Sequence, residues 1–169
     1  MKWLKMTTII QHLKNKFFTW LEKSDRKRII YDRLDNEPYL VRHYIFLKDR
    51  TRFPFNFFLH KFLKSDPDHV HDHPWPYATL ILKGGYYEWI PEFDSQGIKI
   101  SETRHWRGPG HFRVCRANSY HRIELKADVE CWTLFMPGPQ KREWGFLVNN
   151  KWIKNEQYFK WRKSTNIPN

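Results

Sequence analysis

Apolar side chains recur at steps of three and four near the start of the chain, at Met6, Ile9, Ile10, Leu13, Phe17, Trp20 and Leu21. That spacing gathers them on one face of a helix over 4–22, with Lys14, Lys16 and Lys23 mostly elsewhere. We expect this N-terminal amphipathic helix to pack on the body of the protein through Ile10, Leu13, Phe17 and Leu21. A basic helix lying on a membrane surface is the rival reading. Residues 22–36 are polar apart from one apolar patch at 29–31. From Tyr39 onward the texture changes to short apolar runs, and strands are predicted over 39–47, 55–63, 77–83, 86–90, 112–116, 121–125 and 130–136. Turn residues punctuate them, among them Ser65-Asp66-Pro67, Gly84-Gly85, Gly108-Pro109-Gly110 and Pro137-Gly138-Pro139. Many short strands at this spacing predict an all-β sandwich or barrel. The stretch 144–161 reads as one more strand and a short helix. No internal repeat is visible.

Composition narrows the classes. A chain of 169 residues has room for one domain with a hydrophobic core. With 40% hydrophobic and 18% aromatic residues it is too apolar for disorder, despite a formal net charge of +12. Cys115 and Cys131 do not make a disulfide framework, so reduced thiols and a cytoplasmic location are expected. No apolar run approaches the roughly 20 residues that span a bilayer. Gln11, His12, Lys14 and Lys16 interrupt any signal-peptide core. Basic residues are spread along the chain, so solubility and attraction for anions account for them better than a dedicated nucleic-acid surface.

The candidate chemistry lies in the histidines. His69, His71 and His73 alternate in the run His69-Val-His-Asp-His-Pro-Trp75. In extended chain, residues two apart share a face, so all three can enter one pocket. Converging neutral imidazoles suit divalent iron, nickel, copper, manganese or zinc. From His71 the spacing runs His71-x-His73, three residues, Tyr77, six residues, Gly84. Further on, Gly110, five residues, Arg116, Ala117, Asn118, two residues and His121 follow in order.

These two stretches resemble the two motifs of the cupin superfamily, G-x5-H-x-H-x3,4-E-x6-G and G-x5-P-x-G-x2-H-x3-N. In the first, Ser65 replaces the leading glycine and Tyr77 the glutamate. In the second, Arg116, Asn118 and Leu125 replace the proline, the turn glycine and the final asparagine. Asn tolerates the left-handed backbone that such a glycine supplies. Phe58-Leu-His, His71-Asp-His-Pro-Trp75, Trp132-Thr-Leu-Phe135 and Trp144-Gly-Phe146 narrow the resemblance to small single-domain bacterial and phage cupins, over about 38–160. The resemblance implies a double-stranded β-helix (jelly-roll) barrel at 38–160; the helical extension at 1–37 is expected to dock on it, and 161–169 reads as a basic tail.

It also implies metal ligands. Carried over position by position, they are His71, His73 and His121, with Tyr77 in the carboxylate's place. Such a set is similar to that of the three-histidine thiol dioxygenases, so iron(II) is the expected ion, and a small polar, anionic molecule the expected substrate. His69 as a ligand in a shifted register and Glu88 as a carboxylate from the next strand stay open. His60 is a candidate to line the cavity or support a ligand, and Arg113 and Arg116 are candidates to grip a substrate carboxylate or phosphate. A dioxygenase-like enzyme leads. An isomerase or lyase, a metal-free sugar-nucleotide epimerase and a non-catalytic binding module are the alternatives, and a homodimer is open.

Overall fold

Beyond residue 26 the chain forms short antiparallel strands separated by turns and loops. The computed structural model describes residues 2–48, 53–67 and 69–165, with 2–8, 10 and 14 described by backbone alone. Helix α1 (Lys2–Lys23) is followed by strands β1 (Lys27–Tyr31), β2 (Pro38–Tyr44), β3 (Phe58–Phe62), β4 (Tyr77–Lys83) and β5 (Tyr86–Phe93). Then come β6 (Lys99–Arg107), β7 (Phe112–Cys115), β8 (Arg122–Leu125), β9 (Cys131–Pro137), β10 (Gly145–Val148), β11 (Lys151–Lys154) and helix α2 (Asn155–Thr165). The chain is mostly β. One sheet has the order β1-β2-β3-β9-β4-β7, a second β6-β5-β8, and β10 pairs with β11. Antiparallel pairing joins all these neighbours.

Two strands escape the alternation rule. β1 and β6 are edge strands with a largely exposed, charged surface, Lys-Arg-Ile-Ile-Tyr and Lys-Ile-Ser-Glu-Thr-Arg-His-Trp-Arg. Charge on an edge blocks pairing with other chains, which is why such strands read as polar loops. β1 puts residues 27–31 inside the large sheet, so the expected boundary at 37/38 cuts through the sheet. α2 straddles the expected boundary at 160/161 and buries Tyr158 and Arg162, because its inner face packs on Phe146. The turn between β4 and β5 requires glycine. Gly84 has φ +70°, and a Cβ there would meet the Glu130 carbonyl oxygen at 2.1 Å.

The inner faces of the sheets enclose Ile81, Tyr86, Ile123 and Cys131 as a buried cluster, with Phe62 and Leu125 packed against it. A second cluster, Phe146, Val148 and Tyr158, seats α2 on β10. Above the first cluster the same inner faces carry polar side chains, and there the candidate site lies. Cys115 and Cys131 are both buried free thiols. Of the expected contacts of α1, Leu21 is buried, whereas Leu13 and Phe17 are exposed. The side chain of Ile10 lies outside the described residues.

Candidate metal centre

His71 lies between two other segments of the chain. Its backbone bridges to His121 on one side and Phe146 on the other, with N–H donated to the His121 carbonyl at 2.8 Å and its own carbonyl accepting at 3.0 Å. His73 donates its N–H to the Ala117 carbonyl at 3.0 Å. Asp72 turns the other way, fully buried, accepting from the Gly145 N–H at 2.7 Å and from Trp152 Nε1 at 3.1 Å. Main-chain bonds thus present His71, His73 and His121 to one point, and their candidate donor atoms lie within 4.8 Å of one another.

The hydrogen bonds fix the tautomer of His121. Its Nδ1 lies 2.8 Å from Glu88 Oε1, and Glu88 also accepts from Arg107 Nε at 2.8 Å while the Arg113 guanidinium lies against it. Burial pushes the Glu88 carboxyl up, but the His121 bond, the charges of His121 and Arg113 and the Arg107 bond outweigh it, holding the group at about 2. An ionised carboxylate only accepts, so His121 Nδ1 carries a proton and Nε2 is the ring nitrogen turned to the centre. That Nε2 faces His73 Nε2 at 2.8 Å and the Tyr77 hydroxyl at 3.3 Å.

Burial, aided by the neighbouring imidazoles, depresses the other two rings. His71 is held at about 4 and His73 well below its ordinary value. Both are neutral donors at pH 7. His71 Nδ1 is buried without a hydrogen-bond partner; the nearest acid, Asp66, is 3.9 Å away. Three converging imidazoles, a carboxylate fixing one of them and an orphaned buried nitrogen fit a divalent ion. Around them is a cavity of about 350 Å³, lined also by Tyr77, His60 and Arg42, near the lower end of the size usual for small-molecule sites.

A cupin-2 domain from Rhodospirillum rubrum superimposes on this chain with a TM-score of 0.51 and 12% identity, covering 80% of this chain and 81% of that one. This chain has a cupin fold. The polyketide cyclase RemF from Streptomyces resistomycificus gives a TM-score of 0.49 at 15% identity, over 76% and 80% of the two chains. Hydroxypropylphosphonic acid epoxidase from S. wedmorenis gives 0.47 at 14%, with 67% of this chain covering 56% of that one. No family model and no curated protein matches the sequence. Identity this low speaks for the fold and leaves the reaction to the site.

Within this fold the other candidates sort themselves by geometry. His69 points away, its Nδ1 3.0 Å from the Tyr158 hydroxyl and its ring edge-on to Trp161. Only His71 of that run is in a bridge, so the two-residue alternation does not extend back to His69. Glu88 reaches the centre through His121 and not directly. Arg113 is engaged by Glu88, and Arg116 is exposed; neither lines the cavity. Cys115 is buried, with its thiol pushed up by burial. Arg42 was not legible as a site residue. It lines the cavity, donates from Nε to His60 Nε2 at 3.0 Å and lies 4.6 Å over the Phe58 ring. Arg42 and His60 are opposite one another in the β2–β3 register, a pairing that no local motif announces.

The buried rings predict an acid response of the metal-free protein. His71 falls from 6.5 to about 4, and burial holds His60 and His73 well below 6.5 as well. Between those values the unfolded chain binds protons that the folded chain refuses, so stability falls as pH falls through this window. Glu88 and Glu130, held at about 2, add their share only below their unfolded value of 4.5. Thermal melts in chelator should be level above pH 7 and drop steadily from about pH 6.5 towards 4. A melting temperature that rises over that interval contradicts neutral buried histidines.

Proposed function

We propose that this protein is a metal-dependent, dioxygenase-like cupin acting on a small anionic substrate. In this reading His71, His73 and His121 are the metal ligands, iron(II) is the resident ion, and the sheets close into a jelly-roll barrel that keeps bulk water from the site. Manganese, nickel, copper and zinc suit the same donors. One observation carries the reading: the imidazoles of buried His71 and His121 and half-buried His73 converge where Tyr77 replaces the usual carboxylate ligand. A divalent ion held by three protein ligands supplies Lewis acidity and open coordination positions, and iron adds redox chemistry.

The chain's own groups do the rest. Glu88 fixes the His121 tautomer, the Tyr77 hydroxyl stands as a proton donor beside it, and Arg42 supplies a cation inside the cavity. Arg42 bonds His60 and Tyr44 and, among the described residues, meets no carboxylate, so in this reading it is the cation that meets a substrate carboxylate. An isomerase or lyase would use the same ligands without consuming oxygen. Oxygen uptake by the iron(II)-loaded protein, measured against small thiols and acids and their uncharged amides, separates these readings. Uptake is expected with carboxylates alone and should vanish in His73→Ala. Arg42→Met should raise KM at least about tenfold, as loss of a charge-assisted bond implies. Protein that takes up no metal overturns the proposal; metal binding without oxygen uptake turns it to the non-oxidative reading.

A further inference from the structure

The apolar stripe of α1 faces away from the sheets. Ile9 is 59% exposed, Leu13 60% and Trp20 46%, and Phe17 stacks on Trp20 at 6.1 Å. The helix is anchored by its final turns: Leu21 is fully buried, and Phe18 meets Trp132 and His43 edge-on at 5.6 and 5.8 Å. At 3.6 residues per turn, Leu21 lies roughly 85° and Phe18 roughly 145° around the helix from the mean direction of Ile9, Leu13, Phe17 and Trp20. The stripe does not end with the helix. Arg26 lies 5.0 Å over the Trp20 ring and donates from Nη1 to the Phe46 carbonyl at 3.3 Å. Phe46 stacks on Phe55 at 6.1 Å with an interplanar angle of 7°, and meets Phe53 edge-on at 5.9 Å. All three of these rings are exposed.

One exposed apolar surface therefore runs from α1 to the segment before β3. Lys16 and Lys23, both exposed, stand one turn either side of Trp20. The helix carries five lysines against a single acid, Glu22, in a chain of net charge +12. A second copy of this chain would bring like charge to that face. Single-stranded nucleic acid would use the rings but has no use for Ile9 and Leu13. An anionic bilayer accepts aliphatic side chains, aromatic rings and lysine heads together, at the boundary of headgroups and acyl chains. Among the described residues no helix is long and apolar enough to cross a membrane. We propose that this surface holds the protein on anionic lipid, with α1 in the plane of the interface.

The test is sedimentation of the full chain with sucrose-loaded vesicles of phosphatidylcholine, alone or mixed with phosphatidylglycerol. Binding is expected to the mixed vesicles and to weaken as salt is raised. Leu13→Ser/Trp20→Ser and, independently, Phe53→Ser/Phe55→Ser should each lower partitioning at least about tenfold. Because these side chains are exposed, both variants should keep the melting temperature and metal content of the parent. Absence of binding to either vesicle overturns the proposal. So does unchanged binding by both variants, which would leave only diffuse charge. A ring-dependent dimer, or ring-dependent binding of a single-stranded oligonucleotide, in protein that ignores the vesicles would assign the surface to that occupant instead.

Discussion

Alanine at His71, His73 or His121 should strip the purified protein of its metal, while His69→Ala should keep it. Each of the three is a direct donor in the proposed site, and all three line the same cavity. Loss of a group that merely supports a ligand typically costs 10–100-fold in affinity, so loss of a ligand should cost at least about a hundredfold. The fold should survive, because His71 and His121 are joined through their main chains and not their rings. Elemental analysis and competition with a chelator measure the effect, and circular dichroism checks the fold. His69 is the control because its ring faces Tyr158 and Trp161 on α2. Metal retained equally by all four variants would sink the assignment. The converse change is as informative: Tyr77→Glu places a carboxylate beside His121 and should tighten metal binding while blocking a substrate that needs the vacant position. Unchanged affinity there would mean that position 77 does not address the ion.

How much of this was legible in the sequence depends on how local each signal is. Strand β4 matches its predicted span because alternation and the Gly84-Gly85 turn are both short-range features. The convergence of His71, His73 and His121 was legible through motif spacing, which encodes the strand pairing indirectly. β1 and β6 were not, since an edge strand is selected for charge and hides its own alternation. Nor were the partners of Glu88. Arg107, Arg113 and His121 come from β6, β7 and the residue before β8, and they meet one carboxylate only once sheet order is set. For α1 the periodicity gave the stripe correctly but not its direction. The side that packs is marked by Leu21 and Phe18, where the helix meets Trp132 on β9.

Glu88→Gln should be the most damaging single change outside the three histidines. The carboxylate is 1% exposed, yet ionised, because three donors converge on it. Glutamine keeps the shape but removes the charge and replaces one acceptor oxygen by an NH₂ that faces donors. Arg107 and Arg113 are then left partly buried without a counter-charge. Breaking a buried pair from one side typically costs about 3–5 kcal/mol, which for a domain of this size lowers the melting temperature by on the order of 10 °C. Metal affinity should fall as well, by about 10–100-fold, because His121 loses the acceptor that fixes its tautomer. The double variant Glu88→Gln/Arg113→Met separates the two effects. Removing one unpaired cation should recover part of the stability, while the affinity stays low because His121 still lacks its carboxylate. If Glu88→Gln melts within about 2 °C of the parent and binds metal as tightly, then Glu88 neither balances the two arginines nor orients His121.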